Sequence, residues 1–223
     1  MTADILALVP LPSLLSAYAG RDAARHRLLW VFDARLAQIV RTTTEPMIGQ
    51  MRLAWWEDVL SDESGAKGRG EPLLAALRDA KLAGHPGLGA MLDGWEALLG
   101  DAAPDDLALR AFGVDRGGGL FHALAGEDRA PESLIQAGAV WALWDLSGHV
   151  GSASEAARAI AVAQTFLGAG NGRDWMGDWP RAWRPMRLAF GLAVHDVQRG
   201  RAAPRNLTPR LYARLLRLAL VGR

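Results

Sequence analysis

The stretch from Trp30 to Leu60 reads W-V-F-D-A-R-L-A-Q-I-V-R-T-T-T-E-P-M-I-G-Q-M-R-L-A-W-W-E-D-V-L, and it decides the fold class. Leu28, Phe32, Leu36 and Ile39 recur at three to four residues, and Met47, Met51, Trp55 and Val59 repeat the same period. That spacing puts one apolar stripe on a helix, so both segments are expected to pack into a core. Between them, Thr44-Glu45-Pro46 supplies an N-cap, an acid for the first turn and a proline whose missing N–H costs little there. A second helix is predicted to start at that point.

Working outward, further apolar-periodic stretches follow at Pro72–Leu82, Leu88–Leu99, Asp105–Phe112, Leu120–Ala125, Glu132–Val150, Glu155–Leu167, Ala182–Val197 and Pro209–Val221. Long alternating β-branched runs are missing, and glycine or proline punctuates the gaps. An all-α, single-domain helical bundle over residues 1–223 is the expectation. The polar run Ser61 to Gly70, S-D-E-S-G-A-K-G-R-G, has no apolar anchor and is expected to form a mobile loop rather than a domain boundary.

Composition bounds the rest. A chain of 223 residues that is half apolar can bury one sizeable core, and its net charge of +1 does not suggest nucleic acid as a partner. The absence of cysteine removes disulfides, thiolate nucleophiles and zinc-thiolate sites together. Asp4 precedes a short apolar stretch broken by Pro10 and Pro12, which has neither the basic region of a signal peptide nor the ~20 apolar residues of a membrane span. A soluble, cytoplasmic protein is expected.

Three motifs carry a family resemblance. Phe32 to Arg41 is similar to a helix of pattern F-x-R-x-x-D-D-x-x-D, followed by E-P and then R-L-x-W-W, here Arg52-Leu53-Ala54-Trp55-Trp56. Arg116-Gly117-Gly118-Gly119-Leu120-Phe121 is similar to a small-residue helix ahead of a second motif. Gly138 to Ala153 can be laid on that motif, G-x-x-x-Q-L-x-N-I-x-R-D-V-x-x-D. In these features the chain resembles the squalene/phytoene synthase family, which implies a bundle of the isoprenoid-synthase type. The chain is shorter than usual for that family, as if a helix or two were trimmed between Val150 and Pro180.

Enzymes of the family ionise an allylic diphosphate with magnesium ions held by two facing aspartate-rich helices, while an apolar tunnel shields the carbocation. Carboxylates four residues apart stack on one helix face and can share a cation. On this alignment the first motif's aspartates fall at Ala37, Gln38 and Arg41. The second motif's fall at His149 and Ala153, with Asp145 replacing the usual asparagine. Imidazole is a poor ligand for so hard a cation, so both halves of the clamp look dismantled. No cofactor is expected, with magnesium needed only if the chain is an active transferase. Asp174 and Asp178, in N-G-R-D-W-M-G-D from Asn171, keep a D-x-x-x-D spacing and are the remaining metal candidates, although Gly168, Gly170, Gly172 and Gly177 disfavour the helix that would align them.

Arg52, Trp55, Trp56, Arg116, Asp145 and His149 are the candidate substrate-binding residues. Trp55 and Trp56 could line a prenyl tunnel or pack the core. Asp145 and His149, four residues apart, form either an Asp–His site or a structural hydrogen bond. Gly117-Gly118-Gly119 lacks the lysine-serine ending of a nucleotide phosphate loop. Arg210, Arg214 and Arg217 form a stripe beside Leu211, Leu215 and Leu218, with Arg201 and Arg205 upstream, so this end could meet a protein partner or the inner membrane face, or else be a terminal helix with solvated arginines.

Two readings follow. In one, the chain is a non-catalytic family relative that binds a prenyl or other apolar lipid, or acts in respiratory-complex assembly like the phytoene-synthase-related complex I assembly factor branch. In the other, it condenses prenyl diphosphates head to head through Asp174, Asp178 and Asp145. Asp33, Glu57 or Asp58 turned inward opposite Asp174 would favour the second.

Overall fold

Proline starts several of the helices, and glycine lets others cross closely. The structure, a computed structural model, describes residues 10–100, 102–168, 172, 174–177 and 179–221, and among the described residues all regular structure is helical. In chain order the helices are α1 (Pro10–Ala17), α2 (Ala23–Thr42), α3 (Pro46–Leu60), α4 (Pro72–Asp79), α5 (Pro86–Glu96), α6 (Asp106–Phe112), α7 (Gly119–Ala125), α8 (Glu132–Ser147), α9 (Ala153–Leu167), α10 (Arg184–Val197) and α11 (Pro209–Val221). Their apolar faces meet in one core, as the periodicity predicts. No helix among the described residues is long and apolar enough to cross a membrane. The N-terminal stretch around Asp4 lies outside the described residues.

The helix starts follow local chemistry. Glu71 caps α4 by accepting from the Leu73 N–H at 3.2 Å, and the His85 Nδ1 caps α5 by accepting from the Gly87 N–H at 3.0 Å. At α3 the expected threonine cap is absent: Glu45 holds the N-cap position without a side-chain bond, and Pro46 opens the helix. Ser152 and Glu155 form a capping box on α9. Within the polar run after α3, the Asp62 carboxylate accepts from the Ser64 and Lys67 N–H groups, and Arg78 donates to the Gly65 and Lys67 carbonyls.

Two helices are buried almost all round and therefore run through the centre. In α2 every residue from Leu28 to Asp33 is buried, and in α8 every residue from Ala137 to Trp144. Beside them, α6 and α7 join into one rod through a wide π-helical turn, Gly113–Gly118. The rod reaches α8 through glycine: a methyl on Gly117 would fall on the Gly138 carbonyl, and one on Gly138 would fall on the Gly117 carbonyl. The triple glycine thus serves close helix crossing.

The stripe predicted on α3 needs correcting. Met47, Met51 and Trp55 are 71%, 67% and 41% exposed, and the buried residues are Gly49, Leu53, Trp56, Val59 and Leu60. Two helical stripes overlap in this sequence. The structure buries the one that sets Trp56 edge-on against Phe32, ring centroids 5.4 Å apart, and brings Gly49 against Leu99. At the other end of the chain, α11 lies antiparallel along α10. The Arg214 Nη1 donates to the Leu192 carbonyl at 3.4 Å, and the Arg184 Nη2 to the Ala219 carbonyl at 2.6 Å.

Candidate functional site

The π-helical turn delivers Arg116 into the space between α2, α5 and α8. At 3% exposure it is the only buried lysine or arginine among the described residues. Its Nε donates to Asp33 Oδ1 at 2.9 Å and its Nη2 to Asp33 Oδ2 at 2.8 Å, the two-pronged geometry that suits a guanidinium to a carboxylate. The same Nη2 donates to Asp145 Oδ2 at 2.8 Å, so one guanidinium joins carboxylates from α2 and α8. Trp95 Nε1 donates to Asp33 Oδ1 at 2.9 Å.

Aromatic rings complete the cage. The guanidinium carbon lies 4.4 Å from the Trp95 ring, 5.0 Å from Trp141 and 5.2 Å from Phe112. Among the described residues Nη1 has no hydrogen-bond partner, and the electron-rich ring faces are its remaining source of attraction. Burial alone would lower the guanidinium pKa; the Asp33 and Asp145 charges and their hydrogen bonds outweigh it and raise the pKa. Gly94 is what admits the π turn, because a side chain there would collide with the Arg116 backbone.

Beside this cage lies a cavity of about 220 Å³, bordered by Asp33, Ala37, Arg41, Asp145 and His149. Helices α2 and α8 therefore face each other here. Ala37 and Arg41, two of the first-motif positions, look across at Asp145 and His149. Gln38 instead lines a groove on the other side of α2, and Ala153 is exposed at the start of α9.

Magnesium does not suit these residues. The two carboxylates bordering the cavity are already bound to Arg116, and Arg41 adds a second cation where a carboxylate would be needed. A dication placed there would compete with one guanidinium and be repelled by two. Among the described residues no group of three or more histidine or acidic side chains converges as a metal site.

The sequence candidates divide between two places. Arg116, Asp145 and His149 share the cavity. Arg52, Trp55 and Trp56 line the separate groove of about 520 Å³ between α2 and α3, where Arg52 is exposed and reaches Thr43 Oγ1 at 3.4 Å. Asp145 and His149 do not form a carboxylate–imidazole bond. The His149 Nδ1 sits 2.8 Å from the Asp145 backbone oxygen but 3.9 Å from its carboxylate, which turns to Arg116. Asp174 is exposed at the head of a single 3₁₀ turn, Asp174–Met176, and does not border the cavity, while Asp178 lies outside the described residues. Glu57 and Asp58 are exposed, whereas Asp33 is turned inward, opposite Asp145.

Two acids were not picked out from sequence as charge partners. Asp33 is one; its signal was a lone acid in W-V-F-D, inside an apolar run. Asp196 is the other, buried at 4% exposure, ion-paired with Arg214 Nη1 at 2.9 Å and accepting from Trp144 Nε1 at 3.3 Å. Its partners on α11 and α8 lie beyond the reach of local spacing, while His195 beside it brings Nδ1 to 3.2 Å from Asp196 Oδ1. The chain matches no protein-family model, no curated protein and no solved structure.

Proposed function

We propose that this chain is a squalene/phytoene synthase-family protein with a bundle of the isoprenoid-synthase type that acts in binding or assembly rather than in magnesium-dependent prenyl transfer. The observation that carries the reading is Arg116 standing between Asp33 and Asp145. Where the resemblance calls for metal ions between facing helices, an internal guanidinium joins the helices. The cavity supports the same view, since about 220 Å³ is below the ~300–1,000 Å³ usual for small-molecule pockets and leaves little room for two prenyl diphosphates. A protein-binding role draws support from α3, whose Met47, Ile48, Met51 and Trp55 lie exposed along one side.

Calorimetric titration of the protein with a non-hydrolysable farnesyl diphosphate analogue, with and without magnesium, tests this. The expected result is no magnesium-dependent binding. Tight binding that requires magnesium would refute the reading and restore the head-to-head transferase, with Asp174 and Asp178 as the first residues to replace.

A further inference from the structure

Charge is distributed unevenly along the chain. From Trp179 to Arg223 the sequence holds ten arginines and one acid, Asp196, a net charge of +9 set against −8 for residues 1–178. The one acid is already taken, because Asp196 is buried and paired with Arg214. The fold gathers part of this charge around a cleft of about 810 Å³ between the loop after α1 and the start of α10, lined by Tyr18, Arg21, Asp22, Arg181, Arg184 and Arg187.

The cleft abuts the end of α11. Arg184, which lines it and lies over the Tyr18 ring, donates to the Ala219 carbonyl in the last turn of that helix. Helix α11 buries Leu211, Leu215 and Ala219 but leaves a second apolar stripe outside: Tyr212, Leu216 and Leu220, at four-residue spacing, are 42%, 39% and 70% exposed, with Val221 at 77%. Arg210 and Arg217 are exposed on the same helix.

We infer that α11 and the adjoining arginine cleft form a docking surface for an anionic lipid bilayer. A free phosphate would use the cleft and leave the outer stripe without a role. A bilayer uses both: headgroup charge meets the arginines while Tyr212, Leu216 and Leu220 enter the acyl boundary. The tyrosine suits that boundary, having an apolar ring and a polar tip. This inference goes beyond the family reading and does not depend on it.

The test is co-sedimentation of the full chain with phosphatidylcholine vesicles, alone or with about a third phosphatidylglycerol. Binding is expected only to the anionic vesicles and is expected to weaken steeply with salt. Arg210→Gln with Arg217→Gln is expected to lower partitioning roughly twenty-five-fold, at about five-fold per arginine. Leu216→Asp with Leu220→Asp is expected to abolish it; all four positions are exposed, and unchanged circular dichroism checks the fold. No sedimentation with anionic vesicles at low salt overturns the proposal, as does binding that neither variant weakens. Capture by soluble polyglutamate as tight as by vesicles, and indifferent to the leucine changes, also overturns it and assigns the surface to an acidic polypeptide.

Discussion

Replacing Arg116 by methionine keeps an unbranched side chain in the π-helical turn while removing its charge. Asp145 has a 27% exposed side chain, so water can take the place of its lost partner. Asp33, at 7%, cannot be reached in the same way and keeps only the Trp95 Nε1 bond. The cost therefore falls on one stranded carboxylate, and breaking a buried pair from one side costs about 3–5 kcal/mol. For a chain of this size that lowers the thermal midpoint by about 10 °C. Arg116→Met combined with Asp33→Asn removes the stranded charge while the amide oxygen still accepts from Trp95, so the double variant should recover at least ~2 kcal/mol of the loss. Urea denaturation of the wild type, both single variants and the double variant gives the coupling energy directly. A single variant within about 1 kcal/mol of wild type, or a double variant no more stable than Arg116→Met, would refute the account of the cage.

Other measurements probe the scaffold. Gly117→Ala drives a methyl into the Gly138 backbone and is expected to destabilise by about 3 kcal/mol, whereas Gly89→Ala, a helical site with nothing within 4 Å, should stabilise by about 0.5–1 kcal/mol; chemical denaturation compares them. Ser147→Ala leaves the buried Ala203 N–H without the Ser147 Oγ it donates to at 3.0 Å, an expected loss of about 1–3 kcal/mol by the same assay. Acid should weaken the fold through His26, whose burial, aided by Arg25, lowers its pKa from 6.5 to about 4. The unfolded chain then binds the proton that the folded chain refuses, so stability is full above pH 6.5 and falls as pH drops toward 4, by about 2 kcal/mol at pH 5. His26→Leu should flatten this difference between pH 7 and pH 5 in urea titrations, and an unchanged slope would show that His26 is not its source.

Most of the helices were legible in sequence because each is periodic and punctuated, and α9, α10 and α11 end where their apolar spacing ends; α1 was not, because Pro10 and Pro12 read as breaks whereas they sit in the first turn of that helix. The face of α3 was not, because Met47-Met51-Trp55 and Leu53-Trp56-Leu60 are both acceptable helical stripes, and only the position of Phe32 on another helix chooses between them. Arg116, Asp145 and His149 were found as site candidates, but their pairing was not. The carboxylate of Asp145 had an obvious neighbour four residues on, and the partner it takes is 29 residues back along the chain. Asp33 was hidden by its apolar surroundings, which are also what make its pairing with Arg116 matter.

The π-helical turn sets a condition on chain length. An α-helix advances about 100° per residue, and the wide turn between α6 and α7 holds roughly one residue more than a regular turn would. Leu109 and Phe112 before it, and Leu120 and Phe121 after it, are buried. Removing one residue from Gly113–Gly118 would close the wide turn to a regular one and keep both halves of the rod in phase, whereas adding or removing a residue in its regular stretches would swing one half about a quarter-turn away from its neighbours. The wide turn is thus the place on the rod where a one-residue change in length is absorbed without turning either half, while its glycines and Arg116 resist replacement.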